Sequence, residues 1–165
     1  MRLAPLLTLA LGLLLTGLLP GDATGHDLGE DGFYLTPGFS LAGASNLDQG
    51  TGFAPAAALH LMHWKSGFKL GLASEWAYDF NREASRILLA PSIGFGPYGI
   101  DAGYLAELGE DRTRHGAMIR LYVAFLVRLH IGYAWMPDAP DFLEWGLQIK
   151  LPLRIPDFKL GVSFW

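Results

Sequence analysis

From Phe68 to Asp79 the chain alternates: Phe68, Leu70, Leu72, Trp76 and Tyr78 hold even positions, with Lys69, Gly71, Ala73, Glu75 and Asp79 between them. A period of two sends successive side chains to opposite faces, so the segment predicts a β-strand with one apolar and one polar face. The pattern recurs. Phe33, Leu35, Phe39 and Leu41 alternate with Tyr34, Thr36, Gly38 and Ser40; Ile87, Leu89, Ile93 and Phe95 with Leu88, Ala90, Ser92 and Gly94; Tyr98, Ile100, Tyr104 and Leu108 with Gly99, Asp101, Gly103 and Glu107. Residues 119–125, 129–135, 145–153 and 158–164 repeat it, and 53–64 does so ambiguously. Strands at roughly 8–12-residue spacing are the cadence of an all-β sandwich or barrel. No stretch after residue 25 offers a helical stripe of useful length.

Turn chemistry is consistent with this. A two-residue loop at Gly96-Pro97 requires Phe95 and Tyr98 to share a face, so apolar parity must switch there from odd to even, and it does. A four-residue loop over 154–157 would put Leu153 and Phe158 on one face. Short connections at 65–67, 96–97, 126–128 and 154–157 alternate with longer ones at 44–51, 80–85, 109–114 and 136–141, which divides the chain into nine strands. Closed bacterial barrels have even numbers. Reading 117–135 as a single strand, because its odd-position apolar parity never breaks, gives eight. At about 3.3 Å per residue that strand approaches about 60 Å, roughly twice the hydrocarbon thickness. Eight strands are the first expectation, and ten follow if 32–43 is divided or supplemented. Pro37, Pro55, Pro91 and Pro152 fall inside strands, where a closed barrel has no edge to tolerate them, and call for bulges.

The fold then turns on which face is buried. A soluble barrel points its apolar face inward; a membrane barrel inverts this, with lipid outside and a polar lumen. The polar faces mix small residues with charges of both signs: Lys69, Glu75, Asp79, Asp101, Glu107, Arg120, Glu144, Lys150 and Lys159. A narrow lumen needs that mixture, because side chains must fill it and buried charges must be paired. On the apolar faces Phe68, Phe95, Tyr98 and Phe125 fall beside the short turns, while Trp76, Tyr78, Tyr133, Trp135 and Trp145 fall toward the longer loops. Two such belts are what membrane interfaces select. The expected fold is a closed antiparallel up-and-down transmembrane β-barrel.

On these features the chain resembles the small outer-membrane β-barrels of Gram-negative bacteria, the OmpA/OmpX-like group. The resemblance also rests on an N-terminal apolar segment and on the end of the chain. Phe158, Leu160, Val162 and Phe164 alternate before a terminal Trp165, which stands one residue out of phase. The resemblance implies that this end is an assembly signal, and that the partners are membrane lipid or lipopolysaccharide and the outer-membrane assembly machinery. A monomer is expected.

Composition narrows the rest. The 165 residues carry 12 Lys+Arg against 16 Asp+Glu, a net charge of −4, which gives nucleic acid no basic surface to bind. Charged residues are 17%, below the roughly 25% of soluble domains. The absence of Cys removes disulfides, thiolate catalysis and Cys-ligated zinc. Met1-Arg2, the apolar run 6–19, the break at Pro20-Gly21 and the small residues Ala23 and Gly25 read as a signal peptide over 1–25, with cleavage near Gly25 and Ala23 as the competing site. Residues 26–165 then form one barrel domain.

Candidate chemistry is sparse. His60 and His63 are three apart, which on a strand sends the rings to opposite faces, so no metal site is expected there. His130 is expected in the lumen beside Arg128 and Gly132. Asp101 and Glu107 are about 20 Å apart along a strand, too far for a glycosidase pair. The serines lack a nucleophile context, and no cofactor or catalytic residue is assigned. The leading function is a structural or interaction barrel of the cell envelope. The alternatives are a lipid-modifying enzyme of the outer leaflet, which needs His60, His115 or His130 beside a Ser and a carboxylate at the lipid boundary, and a soluble exported lipocalin-like ligand-binding barrel.

Overall fold

A computed structural model describes residues 31–46, 50–124 and 127–155. The strands β1 (Gly32–Asn46), β2 (Gly50–Lys65), β3 (Phe68–Asp79), β4 (Ala84–Phe95), β5 (Tyr98–Leu108), β6 (Thr113–Ala124), β7 (Val127–Trp135), β8 (Phe142–Lys150) and β9 (Leu153–Ile155) form one antiparallel sheet. Each strand pairs with the next, and β1 closes the ring. One edge of β1 takes β2; the other takes β8 along Gly38–Ser45 and β9 along Phe33–Leu35. β8 and β9 are thus two parts of one interrupted strand, and the molecule is a closed eight-stranded antiparallel up-and-down β-barrel.

Eight strands therefore arise differently from the merger of 117–135 weighed above. β6 and β7 are separate and pair antiparallel from Ala117↔Trp135 to Ala124↔Arg128. The partner numbers have the same parity, so an odd number of residues, 125–127, separates the last pair, Ala124 and Arg128, and the apolar set stays on odd positions in both strands. The hydrophobic pattern passes through such a turn without a mark. At the other end, Arg154 and Ile155 pair with Tyr34 and Phe33, so the loop expected over 154–157 does not begin at Arg154. The expected ninth segment, 158–164, lies outside the described residues, as does the proposed signal peptide.

Two short turns follow the predicted chemistry. Ser66 and Gly67 both have positive φ, 49° and 80°, the conformation of a two-residue type I′ hairpin between paired Lys65 and Phe68. At Gly96-Pro97 only the glycine does, φ 53°, which matches the type II′ hairpin that wants glycine first.

The four prolines sit where a ladder is interrupted on one side. Pro37 pairs with β2 but falls between the β8 and β9 pairings, where its carbonyl accepts from Leu151 N at 3.0 Å. Pro55 lies one residue beyond the β2–β3 ladder, which starts at Ala56. Pro91 pairs with Leu72 of β3 and is skipped on the β5 side, where pairing jumps from Leu89↔Tyr104 to Ser92↔Asp101. Pro152 lies in the break between β8 and β9. A missing N–H costs no ladder bond at such places.

The outer face is largely apolar. Leu70, Leu89, Ile93, Leu121 and Leu129 are each 46–59% exposed, while Glu75, Asp79, Asp101, Glu107, Arg120 and Glu144 are at most 5% exposed on the inside. The ambiguity of 53–64 also resolves. β2 turns Phe53, Leu59 and Leu61 outward and Ala54, Ala56, Ala58, His60 and Met62 inward, so both of its faces are rich in apolar residues.

One contact inside the wall allows no variation. Tyr122 lies flat across β5 and β4, so that a Cβ on Gly99 would collide with its ring and hydroxyl, and one on Gly94 would sit 3.0 Å from the hydroxyl. The ring in turn carries the Arg128 guanidinium 3.8 Å above its centroid. Gly99→Val is expected to destabilise the barrel by about 1–3 kcal/mol through overpacking. The check is the urea unfolding midpoint in micelles, with partial recovery in Gly99→Val/Tyr122→Ala.

Candidate functional site: the charged lumen

Inward parity on neighbouring strands brings residues that are distant in sequence into one narrow lumen. In its middle, the Arg120 guanidinium grips Glu75 in a two-point contact, Nη1 to Oε2 at 3.1 Å and Nη2 to Oε1 at 2.7 Å, and reaches Glu144 at 2.6 Å. Paired planar groups of this kind make the stronger class of ion contact. Glu75 also accepts from Gln148 at 3.3 Å and from Ser40 at 3.5 Å. His130 lies 3.5 Å from Glu144.

Toward the longer loops, Glu107 is held by Arg82 at 2.8 Å and by Arg114 at 2.5 Å, and Arg86 bridges Glu144 at 3.1 Å and Asp79 at 3.7 Å. Both Arg82 and Arg86 stack on Phe142, 4.7 and 4.8 Å from its centroid. Around Phe142 the β4–β8 side of the lumen is dry, packed with Leu88, Leu105, Met118, Ala134 and Met136. Low polarity there strengthens the adjacent ion pairs and makes any unpaired charge expensive. In the loop after β7, Asp141 accepts from Tyr133 and from the Met136 amide; these hydrogen bonds, the Tyr133 one first, hold its carboxyl below the usual range.

Toward the short turns, Arg128 pairs with Asp101, Ser92 meets the Tyr122 hydroxyl at 3.2 Å, and Lys150 Nζ meets His60 Nδ1 at 2.8 Å. Lys69 donates to the Gly96 carbonyl at 2.7 Å and lies 4.9 Å above the Trp64 ring, which stacks on Tyr34.

Of the lumen residues expected from sequence, Glu75, Asp79, Asp101, Glu107, Arg120 and Glu144 are buried inside, Lys69 and Lys150 face the same interior near its short-turn end, and Lys159 lies outside the described residues. Phe68, Trp76, Tyr78, Phe95, Tyr133, Trp135 and Trp145 are exposed on the outer wall and Tyr98 is half-buried. Phe125 and the segment Phe158, Leu160, Val162, Phe164 and Trp165 lie outside the described residues. Arg86, Arg128, His60 and Gln148 also enter the lumen, although sequence reading did not assign them to the charge network. Their inward parity was the available signal for Arg86 and Gln148. Arg128 falls in the connection expected over 126–128 although it is also expected beside His130, and His60 falls in the ambiguous β2.

No protein-family model matches the chain, and no curated protein matches it in sequence. Among solved structures the fold is similar to Neisserial surface protein A, at 14% identity and TM-score 0.48 over 77% of this chain and 99% of that one. It is similar also to the designed barrel TMB2.3, solved by NMR in solution, at 18% identity and TM-score 0.47 over 74% and 98%. A third likeness is to a de novo designed transmembrane β-barrel, at 12% identity and TM-score 0.45 over 74% and 98%.

Proposed function

We propose that the chain is a small outer-membrane β-barrel of a Gram-negative cell envelope, exported through a signal peptide at 1–25 and acting as a structural or interaction component. Acyl tails surround its wall and ion pairs close its interior. The observation that carries this reading is the inversion of the wall: Leu70 is 49% exposed while its neighbour Glu75 on the same strand is 5% exposed. A soluble ligand-binding barrel needs the opposite arrangement. The dimensions agree, since a 12-residue strand such as β3 is about 40 Å long and, tilted by about 40°, rises about 30 Å, close to the hydrocarbon thickness.

The lipid-modifying alternative draws less support. His60 and His130 are buried in the lumen, away from the lipid side, and His115 on the outer wall is hydrogen-bonded through Nδ1 to Tyr104. In this reading lipid and lipopolysaccharide are the immediate partners, the assembly machinery recognises 158–165, and the barrel is a monomer. Cell fractionation tests it. The protein is expected to stay with the envelope through a carbonate wash, to need detergent for release, and to change mobility on gels when heated. Recovery in the soluble periplasmic fraction overturns the reading.

A further inference from the structure

Among the described residues the ions in the lumen do not cancel. Arg82, Arg86, Arg114, Arg120 and Arg128 are each within ion-pair distance of at least one of Glu75, Asp79, Asp101, Glu107 and Glu144, and each of those five carboxylates is engaged by an arginine. This one-for-one set leaves Lys69 and Lys150 over. Among the described residues neither is within ion-pair distance of a carboxylate. Lys69 stands near the short-turn mouth with a carbonyl and a ring for company. Lys150 lies deeper, and its hydrogen-bonding partner is the neutral-capable ring of His60.

Lys150 is surrounded by charges that are already committed to one another: Arg128 and Arg120 repel it, while Asp101, paired with Arg128, and Glu75, gripped by Arg120, attract it from beyond contact. The charges acting on His60 are Lys150, Arg128 and Arg120, all cations. The Nε of Arg128 points to no acceptor although the side chain is only 3% exposed. Arg128 pairs with Gln148, so Lys150 two residues on is its diagonal neighbour on the inner face; a buried donor and a buried excess cation each carry a desolvation penalty that a shared anion removes at once.

We infer that the lumen beside His60, Lys150 and Arg128 binds one small anion, of the size of chloride or phosphate, which accepts hydrogen bonds from Lys150 Nζ and Arg128 Nε. Arg128, near the start of β7, and Lys150, at the end of β8, both lie on the short-turn side of the lumen. The packed Leu88, Leu105, Met118 and Phe142 occupy the lumen toward the other end, so the anion is bound as a resident counter-ion.

The purified protein in zwitterionic detergent micelles is titrated with sodium phosphate, and separately with sodium chloride, at constant ionic strength held with sodium gluconate, while the unfolding midpoint is followed. The native barrel should show a saturable rise with at least one of the two anions. Lys150→Met should weaken the apparent affinity at least tenfold, and Lys69→Met, which alters only the mouth, should keep it. A rise that never saturates, an identical rise in Lys150→Met, or no rise in the native barrel overturns the site. If Lys150→Met does not refold, calorimetric titration of the native protein decides: a one-site isotherm with phosphate or chloride supports the site, and the absence of binding heat with both removes it.

Discussion

Arginine in place of Leu72 is expected to prevent stable insertion of the barrel into a bilayer. Leu72 is 45% exposed near the middle of β3, flanked on the same outer face by Leu61 and Pro91 of the neighbouring strands. Among the described residues no carboxylate beside Leu72 on that face can neutralise a guanidinium, and a cation facing lipid near the midplane costs about 2–4 kcal/mol. The measurement is the folded fraction after dilution from urea into vesicles, read from the heat-dependent gel shift. Ser74→Ala on the same strand is the control. Its hydroxyl donates to the Leu59 carbonyl at 2.7 Å, so its loss should cost only about 0.5–1.5 kcal/mol. Equal tolerance of both changes would show that the outer wall does not face lipid.

The second large effect belongs to the interior. Arg120→Leu takes the guanidinium from two buried carboxylates simultaneously, at 2.7 Å from Glu75 and 2.6 Å from Glu144. Glu144 keeps Arg86 at 3.1 Å, but Glu75 keeps only the Gln148 amide and the Ser40 hydroxyl, so Glu75 becomes the uncompensated charge. Breaking one side of a buried pair costs about 3–5 kcal/mol, most of it from the charge left behind. The urea midpoint in micelles should fall accordingly. Adding Glu75→Gln should restore part of the loss, because it removes the stranded charge; a double variant as unstable as the sum of its parts would place the two residues outside one network.

How much of this was legible depends on the strand. In β3, β4 and β5 the outward residues are apolar at most positions of one parity and Gly96-Pro97 forces a parity switch, so strand, face and turn could all be read from residue order. β6 and β7 ran together because an odd-numbered connection keeps the apolar residues on the same parity. β2 was ambiguous because its inward residues, Ala54, Ala56, Ala58 and Met62, are as apolar as its outward ones; Ala58 pairs with Glu75, where a small side chain leaves room for the Arg120 contact. The acids of the lumen could be found by parity alone. Their partners could not, since Glu75 and Arg120 are 45 residues apart and meet only when the barrel closes. The apolar packing around Phe142 escaped for a related reason. A lumen filled partly by Leu88, Leu105 and Met118 breaks the rule of polar inside that located the rest.

The central claim, that oily side chains face acyl tails, is tested most directly by tryptophan quenching. Trp76, Trp135 and Trp145 are 54–56% exposed on the outer wall, whereas Trp64 stacks inside on Tyr34. In a Trp165→Phe background, the barrel is refolded into vesicles whose lipids carry bromine on their acyl chains. Strong quenching by the brominated chains, with little by aqueous iodide, is the expected result. Emission quenched by iodide and untouched by the brominated lipid would contradict the account.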